Sequence, residues 1–221
     1  MTTRDGRTLA SQEHLAGGPT TAPAALPLRI DLRRVLGGLR AAIALDRSLV
    51  AGFVVSRLLI LAAAVAAETL IVRNPSLTGG DGAPILRSLT SWDGWFLLGI
   101  VRDGYHAAAV TGTYHDYAFL PLYPAIVRLL SAPWPAFAGL VAVVVSNAAF
   151  LVSLGLFVSL GEAVVGRGRA RVGALYLAVF PFSAVFSMSY TESLFLMFAL
   201  GAFLAAERDR RALTGILFAL A

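Results

Sequence analysis

The 221-residue sequence contains no cysteine and no lysine, and its 18 basic residues are all arginine. Without cysteine there is no disulfide framework and no thiolate metal site. Three histidines are too few for a His-rich zinc site, while a carboxylate-bound divalent cation stays open. The bias towards arginine, alanine and glycine is typical of a GC-rich bacterial genome.

Charge is also scarce, at 14% of residues, whereas 57% are hydrophobic and the mean hydropathy is +0.75. A chain this apolar is typical of a protein whose solvent is the bilayer. The arginines cluster beside apolar runs, where they set membrane orientation, and they do not form the aromatic-interleaved surface of a nucleic-acid binder. The composition therefore predicts a membrane protein whose partners are lipids and excludes nucleic acid.

The first 48 residues precede the apolar runs. Residues 1–27, rich in Thr, Ala, Gly and Pro, predict a disordered cytoplasmic tail. Residues 28–48 predict a basic amphipathic juxtamembrane helix, because four arginines fall within about 40° of one another at helical spacing. A solvated helix or a simple positive-inside charge cluster explains the same arginines equally well.

Residues 49–221 predict an all-α, polytopic transmembrane bundle with a long extracytoplasmic loop over about residues 73–135, which contains short interfacial helices. "YAFLPLYPAIVRLL" in that loop is such a helix, because its two prolines and Arg128 disfavour a span. The polar patch "SMSYTES" should form an outer turn between two spans. The expected spans are 49–72, 136–160, 172–187, 192–206 and 212–221.

Arginine-rich loops place the N-terminus in the cytoplasm and the long loop outside the cell membrane. The last apolar stretch is too short to span, which predicts that the chain is part of a larger polytopic protein. Arg57 and Glu68 lie within the first span, about three helical turns apart, and should face protein rather than lipid.

The stretch "SWDGWFLLGIVRDGY" places Asp93 between two tryptophans in the outer loop. A carboxylate beside indole rings that partly exclude water can accept a proton from a hydroxyl. The alternative, slightly favoured by spacing alone, is that Asp93 or Ser91 caps a helix beginning near Gly94. Asp103 is interpreted as a turn residue before Gly104.

A second outer motif, "HDYAFLPLYP", combines His115 and Asp116 with two prolines. The prolines stiffen the segment and would hold His115 and Asp116 against a site. An interfacial aromatic anchor is the alternative, since no nucleophile motif accompanies the pair.

The third motif, "SYTE", has the spacing of a capping box, with Ser189 as N-cap and Glu192 three residues later. The helix N-terminus at this point would also suit a phosphate group. Tyr190 and Glu192 could contact a sugar.

Taken in order, Trp92-Asp93, Gly104-Tyr105, "AFLPLYP", Asn147 and "FPFSAVFSMSYTESLF" resemble the PIG-V-type mannosyltransferases, relatives of the enzyme that adds the second mannose in glycosylphosphatidylinositol assembly. The likeness runs from about Leu49 to the end of the sequence. Phe119-Leu120 stands where that family usually has two phenylalanines. The C-terminal half that completes the family's GT-C fold is not in this sequence, so the fragment alone is expected to be inactive.

The resemblance implies a polyprenyl-phosphate-mannose donor, an acceptor hydroxyl on a glycolipid, glycan or protein, and Asp93 as the general base. One carboxylate is enough for an inverting transfer. Arg102, Arg87 or the helix start at Tyr190 would stabilise the leaving phosphate. The residues expected to bind substrate are Trp92, Arg102, Tyr105, His115, Asp116, Tyr190 and Glu192.

Two other functions fit the composition. A transporter would use Arg57 and Glu68 as pathway charges, although the polar residues gather at the outer surface and no internal repeat is visible. A non-catalytic membrane scaffold would tolerate loss of Asp93.

Overall fold

A computed structural model of the protein describes residues 45–72, 84–105 and 116–221. All regular structure in these ranges is helical, so the expected all-α class is confirmed there. His115, the tail of residues 1–27 and all but the last four residues of the predicted basic helix lie outside the described residues. The α-helices are α1 (Arg47–Leu70), α2 (Pro84–Leu89), α3 (Asp93–Asp103), α4 (Leu122–Ser131), α5 (Ala138–Val165), α6 (Arg167–Val179), α7 (Glu192–Glu207) and α8 (Arg211–Leu220).

Among the described residues, two helices are long and apolar enough to cross a membrane: α1, and α5 with the 3-10 turn Pro135–Phe137 that leads into it. Asp46 begins α1, because its carboxylate accepts a hydrogen bond of 3.0 Å from the backbone N–H of Leu49. The large apolar side chains of α1 are mostly exposed, as on a helix that faces lipid. By contrast, α4 has ten residues and is too short to span.

The long helix α5 is the centre of the bundle. One face of α5 packs against α6, whose small buried alanines allow the two helices to approach closely. Another face packs against α7, where Leu156 contacts Leu204. On the far side of α7, α8 packs with Phe203 and Phe218 at 5.4 Å between ring centroids.

Residue pairing along these interfaces gives the helix directions. The α5–α6 pair is antiparallel, since the later part of α5 packs against the start of α6. Helix α7 runs parallel to α5, and the ion pair between Asp46 and Arg171 aligns the start of α1 with the start of α6. One end of the bundle therefore collects the arginine-rich helix ends, and the opposite end carries the three motifs of the sequence.

The apolar run from Val172 to Ala206 is broken over residues 180–191, hereafter the connector. The break begins earlier than the predicted turn at Ser187–Ser193, because Pro181 cannot continue α6 and restricts the residue before it. The connector starts with the 3-10 turn Pro181–Phe186 and reverses the chain direction between α6 and α7.

Candidate functional site

The candidate site is built around the turn between α2 and α3. The hydroxyl of Ser91 donates a hydrogen bond of 2.6 Å to the carbonyl of Arg87, and that of Thr90 donates one of 2.9 Å to the carbonyl of Leu86. These bonds tie two buried polar side chains back onto α2. Trp92 then adopts φ 62° and ψ −126°, a conformation that is strained for a residue with a Cβ.

Asp93 is the first residue of α3 and follows this strained residue directly. The prediction that Asp93 or Ser91 caps the helix is wrong. The N-cap position is Trp92, no described side chain caps α3, and the Ser91 hydroxyl is bonded to the carbonyl of Arg87 instead. The Asp93 carboxylate stays exposed at the positive end of the helix dipole, where a negative charge is favoured.

The connector lies directly against this turn. The backbone N–H of Ser189 donates a hydrogen bond of 2.8 Å to the carbonyl of Leu89, and the Tyr190 hydroxyl donates one of 3.4 Å to the carbonyl of Ser91. Residues about 100 positions apart in sequence are thereby brought together. Tyr190 and Glu192 reach the surroundings of Asp93 by this route.

The predicted capping box in "SYTE" is also wrong. Helix α7 begins at Glu192 with Thr191 as N-cap, and no side chain in the described part of the chain caps it. The Ser189 hydroxyl is buried against Gly94 and has no hydrogen-bond partner among the residues that the structure describes. Gly94 is therefore required for close approach, because any larger residue would overlap the Ser189 side chain.

Three titratable side chains meet where the turn and the connector touch. Burial, followed by the negative charges of Asp93 and Glu192, raises the pKa of Tyr190 to about 12. The phenol is thus neutral at physiological pH and remains a hydrogen-bond donor. We call Asp93, Tyr190 and Glu192 the acidic cluster.

A buried hydrogen-bond chain fixes the acidic cluster onto α5. The Tyr123 hydroxyl lies 3.0 Å from both the carbonyl of Ala142 and the hydroxyl of Ser146. Ser146 in turn donates a hydrogen bond of 3.2 Å to the carbonyl of Tyr190. The tyrosine of the "AFLPLYP" motif therefore supports the connector through Ser146.

Arg57 holds the other end of the connector. Its five N–H groups all have acceptors: the Ser56 hydroxyl, the Ala178 carbonyl, both oxygens of Ser183 and the Ser187 hydroxyl. The Ser187 hydroxyl then donates a hydrogen bond of 2.9 Å to Asn147. This network explains why Asn147 and an arginine occur within apolar helices.

The contacts of Arg57 and Glu68 can be compared with the transporter alternative, in which both side chains line a pathway for a transported ion or solute. The guanidinium of Arg57 is saturated by connector and helix groups, and Glu68 accepts a hydrogen bond of 2.8 Å from Ser88 on α2. Both charges join segments of the protein to each other. Neither arrangement favours ion or solute passage.

A cleft of about 400 Å³ opens beside the acidic cluster. Its walls come from the "AFLPLYP" motif, the start of α7 and the end of α8, and Glu192 contributes a carboxyl group to them. Burial raises the pKa of Glu192 above its usual value. This volume is within the range that holds a small ligand. The lining residues include Phe119, Leu120, Tyr123, Thr191, Glu192 and Phe195.

The other predicted substrate residues lie around this region at different distances. The Tyr105 hydroxyl donates a hydrogen bond of 2.8 Å to the carbonyl of Phe119, so the Gly-Tyr pair anchors the second motif. Asp116 is buried, and its negative charge adds to the effect of burial in raising the pKa of Tyr105. Trp92 is 64% exposed beside Asp93.

The structure does not bring Arg102 to Asp93. Arg102 follows Asp93 by nine residues on α3, which is about 13 Å along the axis and half a turn around it. The two side chains therefore leave opposite faces of the helix. Asp103 is the last residue of α3, so its interpretation as a turn residue is wrong; the chain leaves the helix at Gly104, where φ is 81°.

Sequence reasoning missed the residues that carry the geometry, namely Gly94, Ser146 and the supporting roles of Tyr123 and Arg57. Gly94 carried a readable signal, because a glycine directly after Asp93 stands at the start of a helix of mostly large residues.

As for the divalent cation, no group of three or more His, Asp or Glu side chains able to hold a metal occurs within residues 45–72, 84–105 and 116–221.

The family model described as Mannosyltransferase (PIG-V) matches residues 67–221, which include α2 to α8 and every residue of the acidic cluster. Comparison with curated proteins and with solved structures gives no match.

Proposed function

Because the chain belongs to the mannosyltransferase (PIG-V) family, we propose that it transfers mannose from polyprenyl-phosphate mannose to an acceptor hydroxyl, with Asp93 as the general base. The observation that carries this proposal is the acidic cluster, in which an exposed carboxylate, a neutral phenol and a second carboxylate converge from two distant motifs. The donor lipid is taken from the family resemblance. The acceptor is a glycolipid, a glycan or a protein.

The proposed reaction is a single displacement with inversion. The acceptor oxygen forms a bond to C1 of mannose while the bond from C1 to the phosphate oxygen breaks, and the acceptor proton passes to Asp93. Polyprenyl phosphate leaves with the bonding electron pair. The leaving group needs charge stabilisation more than protonation, so hydrogen-bond donors and positive dipoles are the groups to seek.

In the proposal, different side chains bind the sugar and stabilise the leaving phosphate. Tyr190 is neutral and donates its hydrogen bond to the Ser91 carbonyl, so its hydroxyl oxygen accepts a hydrogen bond from a sugar hydroxyl. Glu192 borders the cleft of about 400 Å³ and accepts hydrogen bonds from sugar hydroxyls. Arg87 and the N-terminus of α7 remain as stabilisers of the leaving phosphate, whereas Arg102 faces away.

Membrane orientation follows from charge in this proposal. The arginine-rich end of the bundle faces the cytoplasm by the positive-inside rule. The acidic cluster lies at the opposite end and would act outside the membrane barrier. A lipid-linked donor suits this position, because its phosphate can rest at the interface while its polyprenyl chain stays in the bilayer.

The test compares Asp93→Asn with Asp103→Asn in membranes that contain the full-length protein, using synthetic polyprenyl-phosphate mannose. Both substitutions remove one carboxylate from α3, but Asp103 is exposed at the far end of the helix. We expect Asp93→Asn to lower the initial rate by about 100-fold or more, and Asp103→Asn to leave it unchanged at equal membrane abundance.

Three results would contradict parts of this proposal. Equal rates for wild type and Asp93→Asn would remove Asp93 as the base. Loss of activity only in Glu192→Gln would move the base to Glu192. Absence of transfer by the wild-type full-length protein would favour the scaffold alternative over the enzyme.

A further inference from the structure

Trp92 combines a strained backbone with an exposed side chain. Its φ of 62° and ψ of −126° lie outside the regions that a residue with a Cβ ordinarily occupies. Its indole is 64% exposed and, within the described part of the chain, has neither a hydrogen bond nor a ring contact. The side chain therefore gains little from packing that would offset the backbone strain, and folding alone does not account for a tryptophan at this position.

The connector imposes this backbone conformation. Three residues before Trp92, the carbonyl of Leu89 accepts a hydrogen bond of 2.8 Å from the backbone N–H of Ser189. Two residues after Trp92, Gly94 packs directly against the Ser189 side chain. The strain thus arises from the same packing that forms the acidic cluster. Residues held in this way are concentrated at functional sites, where the strain fixes a side chain in a required place.

A second exposed tryptophan shows what a membrane anchor looks like in this chain. Trp134 is 65% exposed, has an ordinary φ of −141°, and directly precedes the apolar stretch that begins at Pro135. This is the position of an aromatic belt at the membrane surface. Trp92 differs, because its backbone is strained and it stands beside the acidic cluster. An anchor function explains Trp134 and leaves Trp92 unexplained.

The groups beside Trp92 are those that bind a saccharide. Asp93 is its neighbour, about 3.8 Å away between Cα atoms, and the Asp93 carboxylate is exposed. Carboxylate oxygens accept hydrogen bonds from sugar hydroxyls. The face of an indole is electron-rich, so the C–H groups on one face of a sugar ring pack against it. The phosphate of a lipid head group on the indole would meet the negative charge of Asp93 and is disfavoured.

We propose that Trp92 is the surface on which a sugar ring of the acceptor stacks, so that the acceptor is a glycan or the saccharide of a glycolipid and not a protein side chain. This inference rests on the proposed function, because it takes Asp93 as the base that receives the proton of the acceptor hydroxyl. Trp92 does not line the cleft of about 400 Å³ that Glu192 borders. The donor sugar and the acceptor sugar therefore have separate surfaces.

The experiment measures binding of free glycosides to the purified full-length protein in detergent by saturation-transfer difference NMR, which detects weak binding. The probes are the methyl glycosides of mannose, glucose, galactose and N-acetylglucosamine. Mannitol is the matched control, because it carries hydroxyls but no ring. We expect at least one glycoside to bind the wild type at least about tenfold more tightly than mannitol, a difference of about 1.4 kcal/mol.

Substitutions at the two exposed tryptophans locate the site. Trp92→Gly should abolish the preference for the glycoside over mannitol, whereas Trp92→Tyr keeps an aromatic face and should retain part of it. Trp134→Gly removes an equally exposed indole and should leave the preference intact. In Asp93→Asn, saturating polyprenyl-phosphate mannose should not displace the glycoside, because the donor and acceptor surfaces are separate.

A comparison of two variants tests the strain at Trp92 independently of sugar binding. At an ordinary position alanine gives a more stable protein than glycine, because it restricts the unfolded chain. At a positive φ the order reverses, since glycine has no Cβ. Trp92→Gly should therefore unfold at a higher temperature than Trp92→Ala, and the opposite order would contradict the strain.

Three results of the binding experiment would overturn the proposal. No preference of the wild type for any glycoside over mannitol would exclude a sugar surface. An equal loss in Trp92→Gly and Trp134→Gly would leave Trp92 as a membrane anchor. Displacement of the glycoside by the donor would assign the indole to the donor sugar. Glycoside binding through Trp92 in a protein that transfers no mannose would support the saccharide surface and contradict the proposed function alone.

Discussion

The backbone N–H of Ser189 donates a hydrogen bond of 2.8 Å to the carbonyl of Leu89, the last residue of α2. This bond joins the connector to the turn that carries Asp93. Behind it, the Ser189 hydroxyl is buried against Gly94. The close approach of these two segments creates the acidic cluster, so their packing is the most direct target for mutation.

Gly94→Ala should destabilise the protein by about 1–3 kcal/mol, because the added methyl group overlaps the Ser189 hydroxyl. Ser189→Ala should cost little, since that hydroxyl has no hydrogen-bond partner among the described residues. The double variant should recover most of the loss, as measured by thermal unfolding in detergent. Gly99→Ala, on the same helix with no described residue within 4 Å of the new methyl, is the control and should not destabilise.

Arg57→Lys should loosen the connector. Lysine has three donors in place of five and cannot span the acceptors on Ser183 and Ser187, so at least two charge-assisted hydrogen bonds are lost. We expect the free energy of unfolding to fall by about 2 kcal/mol or more. We also expect faster proteolytic cleavage within residues 180–191. Arg47→Lys, at the exposed start of α1, should change neither quantity. Unchanged cleavage in Arg57→Lys would show that the network does not hold the connector.

The raised pKa of Tyr190 predicts that the stability of the protein depends on pH in the alkaline range. Its pKa is raised from 10.0 to about 12 in the folded protein, so its contribution to stability is complete below pH 10. That contribution is lost as the pH rises through about 12. The thermal midpoint of the wild type should therefore fall more steeply between these values than that of Tyr190→Phe. Tyr176→Phe, at an exposed position on α6, should keep the wild-type slope.

Gly104 is the C-cap of α3 and has φ 81°. Gly104→Ala should lower the free energy of unfolding by about 1–3 kcal/mol through backbone strain alone, because no described residue lies within 4 Å of an added methyl group. Gly168→Ala is the matched control, with the same open surroundings and no positive φ. Equal thermal midpoints for the two variants would contradict the strain at Gly104.

Much of the fold could be predicted because apolar length and proline positions are local properties. The helix of residues 47–70 and the shortness of α4 follow from runs of apolar residues and from where proline interrupts them. The break after Val179 was predicted too late, at Ser187–Ser193, because the polar patch was given more weight than Pro181. The helix caps could not be predicted in the same way. Ser189 and Glu192 have capping-box spacing, yet packing against Gly94 places Ser189 outside the helix.

The sequence by itself determined that the chain is helical and apolar, and it supplied Asp93, Tyr190 and Glu192 as candidate site residues. Only the tertiary structure decided which of these meet. The carbonyls of Leu89 and Ser91 accept hydrogen bonds from Ser189 and Tyr190, which lie about 100 residues later in the chain. The Ser146 hydroxyl donates one to the carbonyl of Tyr190, 44 residues later. These bonds between distant segments hold Tyr190 beside Asp93. Arg102 points away because helical geometry turns it half a revolution from Asp93. Spacing along one helix can be read from sequence, whereas contacts between distant segments depend on how buried polar groups find their partners.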